Sequence, residues 1–341
     1  MKKWYLFLFA LAAQLGLLAQ DAKTLQQTAR SFMAQGDYNN AVLVLNKALE
    51  QEADNIELSK DLALAYFQKS DYSHASATLK PLLERTDADP AVYQLAGMLY
   101  KTTGDEKECD RIYKKGLKLF PKSGGLYSDY GELLWAKQDF SAIQQWEKGI
   151  ETDPSYTGNY YNAAKYYYLT RDKVWSIIYG ELFVAMESYS RRTDEIKDLL
   201  LESYKKLFTD ADMAKDQNAK NAFATAYIAA MSRQSSVATS GITPETLTMI
   251  RTRFILDWFE KEATRFPFRL FDYQRQLLKD GLFDAYNQWL FGSAQNLTAF
   301  QNWTAMHSDE YKRFTTLQRN RLFKQTAGQY YQTAGIKNQD K

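Results

Sequence analysis

Acid–base chemistry near neutral pH most often uses histidine, and this sequence has two, His74 and His307. His74 lies beside Ala75 in a stretch of helical apolar spacing, where a solvated edge position accounts for it. His307 stands in His307-Ser308-Asp309-Glu310, and a carboxylate close to a histidine can make an acid–base pair. The same four residues also read as a helix start, with Ser308 capping and Asp309 and Glu310 in a first turn that favours negative charge. Cys109 is the single cysteine, which excludes an intramolecular disulfide and a cysteine-based zinc site. No His-Glu-x-x-His, Gly-rich phosphate loop, Gly-x-Ser-x-Gly or paired-cysteine pattern occurs. The sequence therefore predicts no catalytic residue, no metal site, no cofactor and no enzymatic activity. A carboxylate pair can hydrolyse a glycoside without any local motif, so that class is not excluded, and a hydrolase with its site in the His307 region is a separate alternative.

The balance of 43 basic and 41 acidic residues, a net charge of +2, gives no argument for a nucleic-acid partner. An apolar share of 45% and an aromatic share of 15% supply a packed core, while only six Pro and 16 Gly favour helix over sheet. Lys2 and Lys3 precede an apolar run from Trp4 to Ala19. That run is shorter than the roughly 20 residues of a membrane-spanning helix and suits a secretory signal. Residues 1–19 are expected to be a signal peptide cut after Ala19, which places the protein in the periplasm or cell envelope. Membrane attachment is expected only if this segment stays as an uncleaved anchor.

The elements that position everything else come from a pattern returning every 34 residues. Small residues stand at Ala29, Ala63, Gly97 and Gly131, and Phe32, Tyr66, Tyr100 and Leu134 follow three positions on. Next come Gly36-Asp37, Ser70-Asp71, Gly104-Asp105 and Gln138-Asp139. Three residues apart is one helix face, so the small residue admits a neighbouring helix and the large one fills the gap beside it. The Gly-Asp pairs end one helix and cap the next. The second helix has its own columns: Ala41, Ala75, Cys109 and Ala142 are small, and Leu45, Leu79, Tyr113 and Trp146 are large. Its last step is 33 residues, which places a missing residue in the turn near Phe140. Pro81 inside a second helix predicts a local bend.

These residues resemble the tetratricopeptide repeat (TPR), whose period is 34. A fifth copy follows with Ala164, Tyr167, Arg171-Asp172, Ser176, Gly180 and Phe183. The family's Pro is replaced by Ala53 and Asp87 in the first two copies, and Glu106 replaces the turn aromatic of the third. The resemblance covers residues 22 to 186. It implies an all-α fold, a TPR-type right-handed α-solenoid of about five helix pairs followed by a C-terminal helical region. The expected division is an array over residues 20–208, closed by a terminal helix with Leu200, Leu201 and Tyr204, and an all-helical region over 209–341. That region continues the plan in diverged form or makes a separate cap. Helices are expected at about 219–233, from Thr243-Pro244 to Pro267, and at 269–280, 282–291, 295–306 and 309–333, with Ser235 to Gly241 as a linker.

The resemblance also implies a function in protein recognition. In such arrays the first helices line the concave face, and their inward positions here are Arg30 and Met33; Lys60, Leu64 and Phe67; Met98 and Lys101; Glu132 and Trp135; and Tyr161, Lys165 and Tyr168. The stripe mixes large apolar groups with a few charges, as suits a protein or peptide held by aromatic anchors and oriented by charge. Phe67 and Trp135 serve equally well as packing against the next repeat. Leu64 stands where a carboxylate-gripping array needs Asn. The tyrosines crowded into the fifth copy, Tyr156 to Tyr179, suit packing against the C-terminal region. The aromatic excess keeps a glycan-binding protein, stacking sugars on Trp and Tyr, as the alternative.

Overall fold

A computed structural model describes residues 21–209, 212–214, 220–321 and 323–332. The expected signal segment lies outside these residues. The chain divides into two compact units, Met1–Phe120 and Pro121–Lys341, and no described residue forms a strand.

The described residues of the first unit form three helix pairs: α1 (Ala22–Ala34) with α2 (Tyr38–Gln51), α3 (Ile56–Gln68) with α4 (Tyr72–Leu82), and α5 (Pro90–Thr102) with α6 (Glu106–Leu119). Each turn within a pair is built alike. Gly36, Ser70 and Gly104 take left-handed backbone at φ 79°, 63° and 77°. The following aspartate then donates its N–H back to the aromatic column, Asp37 to Phe32 O, Asp71 to Tyr66 O and Asp105 to Tyr100 O, each at 2.9 Å. This bond satisfies a carbonyl that the helix end would leave unpaired. The aspartate carboxylates accept from the next helix, from the N–H of Asn40, His74 and Glu108. Pro81 does not bend a continuing helix, because α4 stops one residue later at Leu82. Its missing N–H and its ring disfavour further turns.

The small and large columns meet as expected, and their sizes compensate. Ala29, Ala63, Leu45 and Leu79 are all buried in the first two pairs. In the third pair the large residue is Tyr113 and the small one Gly97, where an added methyl would stand 2.3 Å from the tyrosine ring. The thiol of Cys109 points to the Gly97 carbonyl at 3.2 Å.

The second unit opens with two more pairs, α7 (Gly124–Ala136) with α8 (Ala142–Thr152) and α9 (Thr157–Leu169) with α10 (Lys173–Met186). The size compensation repeats: an added methyl on Gly131 would lie 2.3 Å from the indole nitrogen of Trp146. Gln138 takes the left-handed turn position at φ 60°, and the missing residue falls in this turn, since α8 starts only at Ala142. The fifth turn departs from the others. Thr170 is extended, and the Lys173 ammonium donates to the carbonyls of Tyr168 and Thr170 in place of a left-handed residue.

Beyond the pairs run α11 (Arg191–Thr209), α12 (Ala222–Ser232), the short α13 (Ser235–Ala238) and α14 (Pro244–Lys261). They are followed by α15 (Arg269–Lys279), α16 (Phe283–Asn287), a π turn (Gln288–Gly292), α17 (Ser293–Gln295), α18 (Leu297–Met306) and α19 (Ser308–Asn320). Helix α10 is buried continuously from Val174 to Val184, because α9 and α11 pack on it as well as α12 and α15. Inside this core lies a charged group. Arg251 of α14 pairs with Glu181 of α10 at 2.8 Å, both nearly inaccessible. Tyr204 donates to Glu181 at 2.6 Å, Gln274 donates to the same carboxylate, and Asn287 accepts from Arg251. Such a pair is tolerated because its remaining hydrogen-bonding positions are filled. Phe223 centres an aromatic cluster with Trp258 and Phe268, both at 5.4 Å, and with Tyr331 stacked on it at 4.7 Å.

Thr243 caps α14 with Pro244 in its first turn, as expected, and completes a capping box with Thr246. The helix expected over 282–291 is present: Phe283–Asn287 continues without a break into a π-helical turn at Gln288–Gly292, where the Gln288 side-chain amide donates to the Glu245 carboxylate at 2.9 Å. Three expectations fail here. Residues 235–238 form a short helix within the expected linker. Ser308 is the first residue of α19 and does not cap it: only His307 separates α18 from α19, leaving no extended residue at 308. Finally, α19 ends at Asn320 and does not continue to 333. The last described residues form an irregular strap, held because Asn221 donates to the carbonyls of Tyr331 and Gln332 at 2.8 and 2.7 Å and Tyr331 donates to the Pro267 carbonyl at 2.7 Å. These tertiary partners replace the bonds a helix would have made.

Candidate functional site

None of the twelve inward positions is fully buried; all are partly or well exposed. In the first unit, ion pairs join successive first helices along this stripe. Arg30 of α1 pairs with Asp61 of α3 at 2.7 Å, and Lys60 of α3 pairs with Asp89, the cap of α5, at 2.6 Å. Phe67 lies 5.7 Å from the ring of Tyr72. Met33 packs at the edge of the core of α1 to α3. Leu64 and Met98 are half-buried, while Lys101 is exposed. None of these seven residues lines the cleft formed by the second unit.

The five positions of the second unit behave differently. The described residues form a cleft of about 410 Å³ along the first helices α7, α9 and α11. Trp135 of α7 and Trp146 of α8 supply one wall; Asn162, Lys165, Tyr166, Tyr168 and Leu169 of α9 supply the floor; and Glu195, Asp198, Leu199 and Glu202 of α11 supply the other wall. Trp135, Lys165 and Tyr168 thus line it directly. Tyr161 stands beside it and donates to Glu195 at 2.5 Å. Glu132 reaches it through Asn162, whose amide donates to the Glu132 carboxylate at 3.2 Å.

The aromatic wall is preassembled. Trp135 meets Tyr166 edge-on at 5.7 Å and Trp146 at 6.1 Å, within the range of favourable aromatic contacts. Trp146 is buried and its indole N–H donates to the Ser128 carbonyl at 3.2 Å. Trp135 therefore both packs on the repeat and faces the cleft. Leu169 is 69% exposed, an apolar side chain held at the mouth.

Charge gathers on the α11 wall. Glu195, Asp198 and Glu202 are spaced three and four residues apart, hence on one helix face. Lys165, the single cation among the described lining residues, pairs with Glu195 at 2.6 Å and donates to the Tyr161 hydroxyl at 3.1 Å. Burial works against the Glu195 carboxylate, but its bonds to Lys165 and Tyr161 outweigh it and hold the carboxyl below its usual range. Asp198 goes the other way, pushed up by burial and by the like charges of Asp194 and Glu202. Lys206 lies over the ring of Tyr168 at 3.8 Å.

Trp146, Tyr166 and the acidic face of α11 were not among the sequence candidates. Trp146 reads as pure packing because it occupies the large column. The α11 face has a visible signal, acidic residues at 195, 198 and 202 opposite the apolar stripe of Ile196, Leu200 and Tyr204, but charge on a helix face is usually only solvation. The tyrosines of the fifth copy divide. Tyr160 and Tyr179 are buried; Tyr166 and Tyr168 line the cleft. Tyr167 donates to Glu147 at 2.6 Å and bonds to Gln332 of the strap. A further column also emerges, since the hydroxyls of Tyr93, Tyr127 and Tyr160 donate to the carbonyls of Leu83, Pro121 and Pro154. Their spacing of 34 and 33 matches the repeat and its slip. Both histidines have close neighbours. His74 bonds to Asp71 at 2.8 Å and stacks on Tyr66, and His307 stacks on Trp303 with centroids 4.3 Å apart.

Comparison with known proteins follows the same line. One tetratricopeptide repeat model matches residues 32–99 and a second matches residues 90–123. No curated protein matches the chain. Among solved structures, a tetratricopeptide repeat protein from Parabacteroides merdae is 17% identical with a TM-score of 0.41, over 82% of this chain and 100% of that one. A thermophilic TPR protein of Thermus thermophilus is 14% identical with a TM-score of 0.41, over 55% of this chain and 98% of that one. Residues 32–123 match tetratricopeptide repeat models, and the described residues form an all-α fold of the solenoid kind.

Proposed function

We propose that this is a non-enzymatic interaction protein of the bacterial cell envelope, which binds a protein or peptide on the first-helix face of its repeats. Tetratricopeptide repeats serve in protein interaction and scaffolding, and the single observation that carries the site is the aromatic cleft over α7, α9 and α11. Its walls are fixed by packing before any partner arrives, so little of the binding energy is spent on ordering them. The envelope location rests on the reading of residues 1–19, and the division into an array to residue 208 and a helical remainder belongs to the same proposal.

The test is site-specific crosslinking. A photoreactive residue at Tyr168 should capture a partner from the native envelope, and one at Lys148, an exposed position of the second helix α8, should not. Capture at 168 should fall at least five-fold in a Trp135→Ala background that keeps the wild-type helical content. Equal adducts at both positions, or none at 168, would remove this face as the binding surface. Glycan binding, the competing reading, would show instead as retention on an oligosaccharide panel that the Trp135→Ala change abolishes.

A further inference from the structure

Resting on the reading of the cleft as a peptide site, we infer that its occupant is a basic peptide segment, one that sets an arginine or lysine against α11 and an apolar side chain against the aromatic wall. The argument is charge complementarity inside a defined cavity. The ionisable groups lining the cleft are three carboxylates and one ammonium, besides the tyrosines. That ammonium, Lys165, is already committed to Glu195, which leaves Asp198 and Glu202 to face a guest. Glu202 is bridged by Lys205, a half-buried neighbour three residues along the same helix, at 2.9 Å. Such pairs are worth little and exchange readily. Asp198 is held above its usual range by burial and by the like charges of Asp194 and Glu202, against the opposing charge of Lys197, and a guest cation would relieve that crowding.

The opposite side of the cavity offers what the rest of a basic side chain wants. Trp135 and Tyr166 present ring surface, and Leu169 an apolar lip. Long basic side chains bury their methylene stems along apolar walls while the charged head seeks carboxylates. A guanidinium in addition makes paired bonds to carboxylates and lies on aromatic faces. Lys206, outside the cavity lining, already lies over the Tyr168 ring at 3.8 Å, so a guest cation would meet the rings of Trp135 and Tyr166 instead. A neutral sugar could donate hydrogen bonds to the two carboxylates but would leave their charge uncompensated, and an acidic peptide would be repelled by it.

The experiment uses the full chain with intact C-terminal helices and three blocked nonapeptides that alternate leucine with arginine, glutamine or glutamate. Binding is read from Trp fluorescence, since Trp135 lines the cavity. The arginine peptide should bind at least ten-fold more tightly than the glutamine peptide, and the glutamate peptide not at all. Asp198→Asn combined with Glu202→Gln should weaken the arginine peptide at least five-fold and flatten its salt dependence, with thermal stability unchanged because both positions lie on the solvent side of α11. If arginine and glutamine peptides bind alike at this cleft, the cationic occupant is wrong while the peptide site stands. If no peptide of any charge perturbs the tryptophans, or an oligosaccharide does so instead, the peptide site fails and the inference with it.

Discussion

Gly97 and Gly131 show how a single atom decides the packing of a repeat. The first two pairs combine Ala with Leu, and the next two combine Gly with Tyr113 or Trp146. An added methyl at Gly97 would sit 2.3 Å from the Tyr113 ring, with the ring itself buried and unable to retreat. Gly97→Ala should therefore destabilise the first unit by about 1–3 kcal/mol, the usual range for overpacking a core. The informative control is the double variant Gly97→Ala with Tyr113→Leu, which recreates the combination of the first two pairs. Denaturant unfolding should show the double variant recovering a substantial part of the loss. If the two changes simply add, the compensation between columns is not what sets these residues. The columns themselves are readable from sequence because their period is local and fixed. Their coupling in size is readable too, but only once the geometry says which column faces which.

At the scale of the element, the turns were the most legible part of the chain and two of them retain strain. Gly36 and Gly104 occupy left-handed backbone at no steric penalty, whereas Ser70 at φ 63° and Gln138 at φ 60° carry side chains in the same conformation, Gln138 the larger. The Gln138 backbone N–H still donates to the Trp135 carbonyl at 2.9 Å and Asp139 N–H to Leu134 O at 2.9 Å, so this turn is intact and merely strained. Gln138→Gly should raise stability by about 0.5–1 kcal/mol and the melting temperature by roughly a few degrees. A fall in melting temperature would mean that the Gln138 side chain makes a contribution larger than the backbone strain. By contrast, the end of α19 was not legible. Nothing between Asn320 and Gly328 breaks a helix by composition. The segment unwinds because Asn221 and Phe223, about a hundred positions away, hold its far end in another conformation. Propensity is a weak prior against such tertiary partners. The same holds for the cleft: the three inward positions Trp135, Lys165 and Tyr168 were found from the period of the repeat, while α11 lies where the period has already faded.

Across the molecule, the features hidden from sequence are those that tie distant segments. Glu181 meets Arg251 70 positions away and Gln274 93 positions away, with no period to announce either. The strap over the fifth pair adds a titratable site of the same kind. Burial pushes the Glu147 carboxyl up to about 7, against the opposing bonds from Tyr167, Gln332 and Tyr330, with the charge of Asp172 adding to the rise. Asp172 is itself raised to about 6 by burial, against backbone bonds from Trp175 and Val174. The sign follows from proton binding. Between pH 4.5 and about 7 the folded protein holds a proton on Glu147 that the unfolded chain has released, so stability falls as pH rises through this window. The contribution is complete below pH 4.5 and lost above about 7; Asp172 acts with the same sign from 3.8 to about 6. Melting temperatures of wild type and Glu147→Gln, measured from pH 4.5 to 8, separate this residue from every other carboxylate. The wild type should lose stability relative to the variant across the window, and the variant should be the more stable at pH 8. Accessibility of the strap to limited proteolysis should rise over the same range in the wild type alone, because the ionised carboxylate is the group that Gln332 and Tyr330 cover. A constant difference between the two proteins over the whole range would show that Glu147 keeps one protonation state throughout, and the strap would then be held independently of pH.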